Sequence, residues 1–175
     1  MSKNKRGLAV REIVIFAMLG AILFIGDVLM EWAPNVHPIT VLVIVYTIVY
    51  RQKAIIPIII YITLQAVFFG GLWLVPYCYI FPLYHAVTLL VPQKLSGIKA
   101  QVCYSTLSVL FGLAFGLLYA PWQAAIFMKT LNLERIFAWV VAGFPYDVIH
   151  AIGNFAASFL ILPLVKLLKM IERKS

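Results

Sequence analysis

The sequence predicts an all-α integral membrane protein, a single domain over residues 1–175 built as a six-transmembrane-helix bundle with both termini cytoplasmic. Three observations predict it. The chain of 175 residues is 64% hydrophobic and only 11% charged, with a mean hydropathy of +1.01, whereas about a quarter of the residues of a soluble domain are charged. Its apolar residues gather into six runs of roughly helical-span length. Its basic residues fall between those runs on alternate sides, as cytoplasmic Lys and Arg do in membrane proteins.

The runs are Glu12 to Met30, Pro38 to Tyr50, Ala54 to Phe69, Trp73 to Val91, Ala100 to Tyr119 and Phe144 to Leu168. The first follows a basic start, "MSKNKRGLAVREIVIF", and has the look of a signal peptide. Its apolar stretch outruns the usual h-region of about 7–15 residues and no small-residue cleavage site follows, so a retained first span is expected. The second and third runs are short, which fits helices shielded by neighbours. Pro145 is expected to break the chain before the sixth span, leaving 120–143 as an apolar outer connection packed on the bundle mouth.

Lys3, Lys5, Arg6 and Arg11 precede the first run; Arg51 and Lys53 separate the second from the third; Lys94 and Lys99 separate the fourth from the fifth; Lys166, Lys169, Arg173 and Lys174 end the chain. With six spans, 12 of the 14 basic residues share one side, leaving Lys129 and Arg135 on the other. The net charge of +8 is thus a membrane signature, and nucleic acid is not an expected partner. Cys78 and Cys103 each sit inside an apolar run and indicate neither a disulfide framework nor a metal pair.

This topology gives the polar residues a depth. Asp147, His150 and Asn154 fall within an arc of roughly 60° on a helix and lie in the outer part of the sixth span. Ionisable groups in spans usually face the bundle interior or a water-filled cavity. Asp27 and Glu31, four apart on one face, end the first span on the same outer side. His37 follows in the loop, Trp73, Tyr77 and Tyr79 open the fourth span, and Tyr146 adjoins Asp147. Acids, imidazoles, an amide and aromatics on one side compose a pocket for a planar or amphiphilic solute, whose rings stack and whose polar groups orient. Plainer readings stand beside this one. Span-end aromatics form interfacial belts, Glu31 can be solvated, Asp147 and His150 can be a structural pair, and Asn154 can bridge helices.

A second pattern lies in the inner half of the first span, "FAMLGA", where Ala17 and Ala21 are four apart with Gly20 beside them. Small residues so spaced admit another helix backbone, as do Gly112 and Gly116 in "FGLAFG". No phosphate loop, H-E-x-x-H or G-x-S-x-G motif is present, so the chain is expected neither to hydrolyse ATP nor to be an enzyme. The three histidines give no metal-ligand spacing, no cofactor is expected, and His85 reads as a hydrogen-bonded core residue.

These features together resemble the substrate-binding S components of energy-coupling factor (ECF) transporters. The resemblance spans the whole chain. It rests on A-x-x-x-A in the first helix, on "APNVHPITVLVIVYTIVY" and "GGLWLVPY", and above all on "AGFPYDVIHAIGNF" in the sixth. It implies a subunit that captures a vitamin in an outward-facing pocket and works with a transmembrane coupling subunit and two ATP-binding subunits. It also implies that Ala17 and Ala21, with Gly20, contact the coupling subunit. Asp27, Glu31, Trp73, Tyr77, Tyr146, Asp147, His150 and Asn154 are the expected substrate contacts. The sixth-span motif is most similar to cobalamin-type members. Queuosine precursor, thiamine or its pyrimidine, and riboflavin stay open, and acids on the outer side disfavour carboxylate vitamins. A stand-alone proton-coupled carrier or a membrane enzyme using Asp147 and His150 is the alternative of a different class.

Overall fold

Apolar runs too long for strands, with no water to satisfy a lone backbone, must close their hydrogen bonds internally, and the chain does so as helices. The computed structural model describes residues 10–33, 38–72, 74–127 and 132–174. Seven α-helices follow in order: α1 Val10–Leu29, α2 Ile39–Tyr50, α3 Ile55–Phe69, α4 Leu74–Leu89, α5 Gly97–Phe127, α6 Leu133–Ser158 and α7 Ile161–Lys174. Among the described residues there is no strand. Four segments are long and apolar enough to cross a membrane, namely Val10–Leu29, Ile39–Phe69, Gly97–Phe127 and Leu133–Ser158, while Leu74–Leu89 is a shorter apolar helix.

Ile39–Phe69 is apolar on either side of Arg51–Lys53, and it reverses direction there. Arg51 adopts φ +53°, a left-handed conformation that side chains rarely accept, and one 3₁₀ turn, Arg51–Ala54, follows. The Arg51 guanidinium donates to the Leu89 carbonyl at 2.9 Å, closing an orphan acceptor at the end of α4. Contacts on either side fix the directions. Lys53 pairs with Glu12 at the start of α1, while Tyr61 and Gln65 reach Asp27 near its end, so α3 runs parallel to α1. Thr47 meets His85 and Arg51 meets Leu89, so α2 runs parallel to α4 and opposite to α3.

Helices α5 and α6 form a long antiparallel hairpin. The 31 residues of α5 extend about 46 Å at 1.5 Å per residue, beyond the roughly 30 Å of a hydrocarbon core. Two expectations are corrected here. Pro145 does not break the sixth span: α6 runs through it from Leu133, capped by Asn132, whose side chain accepts from the Glu134 N–H at 3.0 Å. Residues 120–127 and 133–143 are helical rather than an outer loop. Pro145 lies on an exposed side of α6. The break falls instead at Phe159–Leu160. Pro163 could not donate to the Phe159 carbonyl in a continued helix, yet it is tolerated in the first turn of a new one. The chain therefore ends in α7, an amphipathic helix crossing α2, with Ile161 and Val165 buried. Glu172 on α7 accepts from the Tyr50 hydroxyl at 3.0 Å and lies 3.7 Å from Arg11.

The core is centred on α2, where Ile39, Val41, Val43, Ile44 and Val45 are buried. That burial is how so short a helix persists. His85 is a hydrogen-bonded core residue: its Nδ1 lies 2.9 Å from Thr47 Oγ1, which donates to the Val43 carbonyl at 2.7 Å. The small residues of α1 divide. Gly20 is buried, and a Cβ there would come 2.6 Å from Ile60 Cγ2 and 3.1 Å from the Pro57 carbonyl. Its missing side chain serves the α1–α3 crossing, which corrects the expectation that Gly20 faces a partner. Ala17 is exposed and Ala21 half-exposed, so both remain on the outer surface.

Candidate functional site

Two polar clusters occupy the helix interior, joined by a layer of rings. The first centres on Asp27 in α1. Tyr61 and Gln65, four apart on one face of α3, both reach it: the Tyr61 hydroxyl donates to Oδ2 at 2.8 Å, and the Gln65 amide donates to the same oxygen. The Tyr61 ring stacks on Tyr77 of α4 with centroids 6.0 Å apart, and Phe81, one turn further on, meets both rings edge-on at 5.3 and 4.9 Å. The i, i+4 spacing of Tyr61 and Gln65, and again of Tyr77 and Phe81, puts each pair on one helix face.

The second cluster is the seam of the α5–α6 hairpin. Ser105, Ser108, Gly112 and Gly116 make a stripe of small residues down α5, and each meets a partner on α6. Ser105 Oγ lies 2.7 Å from Ser158 Oγ. The Asn154 amide donates to the Ser108 carbonyl at 3.0 Å, and Ser108 Oγ donates back to the Asn154 carbonyl at 3.3 Å. A Cβ on Gly112 would lie 2.7 Å from the Ala151 backbone. The Gly116 N–H donates to Asp147 Oδ1 at 3.0 Å, and the carboxylate fills the space a Gly116 side chain would need. Gly112 and Gly116 therefore serve packing within the bundle.

Asp147 and His150 are each 6% exposed and Asn154 1%. They share one inward face of α6, as their spacing predicts, but that face meets α5 rather than the acids of α1. The hairpin is so tight that a carboxylate and a glycine occupy one van der Waals layer. Rings bridge the two clusters. Tyr84 stacks on Phe111 at 4.0 Å and donates to its carbonyl at 2.7 Å. Phe115 meets Tyr119 at 5.9 Å and His150 edge-on at 5.3 Å. Tyr77 lies near the Asp27 carboxylate and the Tyr119 hydroxyl, and Tyr84 lies near the Asp147 carboxylate.

The remaining expected residues fall outside these clusters. Glu31 lies beyond the end of α1 and is exposed. Tyr146 is 58% exposed, pointing away from the face that carries Asp147; consecutive helical residues diverge by about 100°. Trp73 and His37 lie outside the described residues. Sequence reasoning missed Tyr61, Gln65 and Tyr119. The signal was present for Gln65, the sole amide in the apolar run "IIPIIIYITLQAVFF", since a polar side chain in such a run needs a buried partner.

Among the described residues, three buried side-chain polar atoms have no hydrogen-bond partner: Gln123 Oε1 on α5, and Trp139 Nε1 and Asn154 Oδ1 on α6. Buried polar atoms left so are uncommon in folded proteins. Among the described residues no three His, Cys, Asp or Glu side chains gather as a metal-holding group. What the arrangement offers is stacking surfaces, a carboxylate acceptor and a few unpaired donors and acceptors, which is the chemistry of holding an organic solute. No known protein family, curated protein or solved structure matches this chain.

Proposed function

We propose that the chain is the membrane-embedded substrate-binding S component of an ATP-driven ECF-type micronutrient importer. It would cross the bilayer six times with both termini cytoplasmic, and α7 would lie at the cytoplasmic surface. It captures a vitamin, with cobalamin or a related corrinoid as the first choice, and delivers it through a coupling subunit and two ATP-binding subunits. The observation that carries this reading is the sixth-span signature "FPYDVIHAIGN" within an apolar helical bundle whose basic residues gather at one end. The basic-poor end, where α1 and α3 finish and α4 begins, carries the Asp27, Tyr61, Gln65 and Tyr77 cluster. Under the positive-inside rule that end faces outward. Asp27 and the rings are assigned to the ligand, with Gln123 and Trp139 supplying an unpaired acceptor and donor. Asp147 and Asn154 hold the wall together. Amide-rich corrinoid side chains donate well to a carboxylate.

A thermal-shift panel of B vitamins, queuosine precursor and corrinoids on the purified chain tests this. A ligand present at 1,000 times its Kd stabilises the protein by about 4 kcal/mol, which is a shift of roughly 10 °C for a chain this long. Protection by a corrinoid supports the first choice, protection by another vitamin reassigns the substrate, and no protection across the panel counts against an S component.

The exposed Ala17 and half-exposed Ala21 are assigned to the coupling subunit. Ala17→Trp is expected to abolish co-purification with that subunit while leaving the ligand-induced thermal shift intact, because residue 17 is exposed and remote from Asp27. A variant that still assembles and transports would show that this face is not the docking face. A stand-alone carrier using Asp147 and His150 finds less support, since Asp147 is sealed against the Gly116 N–H.

A further inference from the structure

At the basic end, a cavity of about 340 Å³ opens between the end of α2, the α4–α5 connection, α5 and α7. Its polar lining is Arg51, Gln93, Tyr104 and Lys169, set against an apolar wall that includes Leu95 and Leu162. Arg51 spends one N–H on the Leu89 carbonyl, which fixes its guanidinium in place. Among the described residues neither Arg51 nor Lys169 is paired with a carboxylate: the ion pairs there use Arg11 and Lys53. Two cations and two further donor-bearing side chains thus converge without an acid. A second groove adjoins the first, sharing Leu162, Val165 and Lys169 and adding Lys166 and Arg173. The two concavities therefore carry four cations along an apolar floor.

We propose that this cavity binds a phosphate-bearing anion, either the headgroup of an anionic phospholipid or a free phosphate ester. A fixed guanidinium with an adjacent ammonium matches phosphate oxygens. The apolar floor beside them suits a glycerol backbone and the head of an acyl chain. Basic pockets between spans at a membrane surface recognise anionic headgroups in this way. The site lies at the opposite end of the bundle from Asp27 and is independent of the proposed vitamin pocket. Its occupant would tie α7 to α2 and α5, across the one segment that follows the last long apolar helix.

Native mass spectrometry of the detergent-solubilised full chain tests this with phosphatidylglycerol, phosphatidylcholine and glycerol 3-phosphate as probes. Phosphatidylglycerol is expected to bind more tightly than phosphatidylcholine. Lys169→Gln is expected to weaken it about five-fold, the effect of removing one surface cation, while Arg135→Gln at the far end leaves it unchanged. Displacement of the lipid by glycerol 3-phosphate at similar concentration assigns the site to soluble phosphate esters; retention of the lipid assigns it to the membrane. Equal binding of the two lipids with no binding of glycerol 3-phosphate, or equal losses in Lys169→Gln and Arg135→Gln, overturns the assignment. Lys169 is exposed, so a melting curve matching wild type shows that its variant is folded.

Discussion

Gly112→Leu is expected to separate α5 from α6 and to be the most damaging single substitution outside the ligand cluster. The first atom added at position 112 would come 2.7 Å from both Cα and N of Ala151 and 3.0 Å from the carbonyl carbon of His150. These are backbone atoms in the middle of a 26-residue helix, so no rotamer change relieves the clash, and α6 must move away as a body. Overpacking into a core that can adjust costs about 1–3 kcal/mol. Here separation also breaks the bonds joining Ser105 to Ser158, Ser108 to Asn154 and Gly116 to Asp147, so the loss should exceed about 3 kcal/mol. That corresponds to a melting point lowered by roughly 10 °C in detergent. Gly143→Ala is the matched control. Nothing lies within 4 Å of an added Cβ there, the position is helical, and Ala in place of Gly should stabilise by up to about 1 kcal/mol. If Gly112→Leu melts within a degree or two of wild type, the close hairpin is not the structure in solution.

The same hairpin shows what the sequence disclosed and what it hid. The spacing of Asp147, His150 and Asn154 was enough to place them on one buried face, because helical periodicity is local. What that face meets was not legible, since it depends on register with a stripe of small residues some 30 to 50 positions earlier. Ser105, Ser108, Gly112 and Gly116 look like any small-residue pattern until a partner is known. The prolines mark a second limit. Pro145 and Pro163 are equally strong breakers in isolation, but one sits on an exposed side within a well-packed helix and the other falls where the chain turns across α2. Tertiary context decided between them. The reversal at Arg51 was readable from its two cations between apolar runs, whereas the strained φ that accomplishes it was not. The Asp27 cluster was half legible: the acid stood out, while its donors Tyr61 and Gln65 lay in a helix whose apolar character drew attention away from them.

Asp27→Asn separates the ligand role of that cluster from a structural one. In the folded chain a single carboxylate oxygen receives both the Tyr61 hydroxyl and the Gln65 amide. An asparagine retains one acceptor oxygen of similar shape, so both donors can still be met, but the charge is gone and an NH₂ group replaces the second oxygen. Hydrogen bonds to a charged group contribute about 1.5–3 kcal/mol against about 1 kcal/mol for neutral pairs. The ligand-free protein should therefore lose only about 1–2 kcal/mol. If Asp27 also accepts from a bound solute, the isosteric change presents a donor to the solute's donor, and affinity should fall about 100-fold, or roughly 2.7 kcal/mol. The thermal shift produced by the best vitamin would then shrink by more than half at fixed ligand concentration, while the ligand-free melting point moves by a few degrees. Asp147→Asn should invert the pattern. Its Oδ1 can still accept from the Gly116 N–H, but an NH₂ group then presses on the Gly116 backbone where the second carboxylate oxygen lay, so the ligand-free protein loses stability and the vitamin-induced shift is retained. A shift unchanged in Asp27→Asn and abolished in Asp147→Asn would move the pocket from the α1–α3–α4 cluster to the α5–α6 seam, because only a group that touches the solute changes affinity without a matching change in the melting point of the free protein.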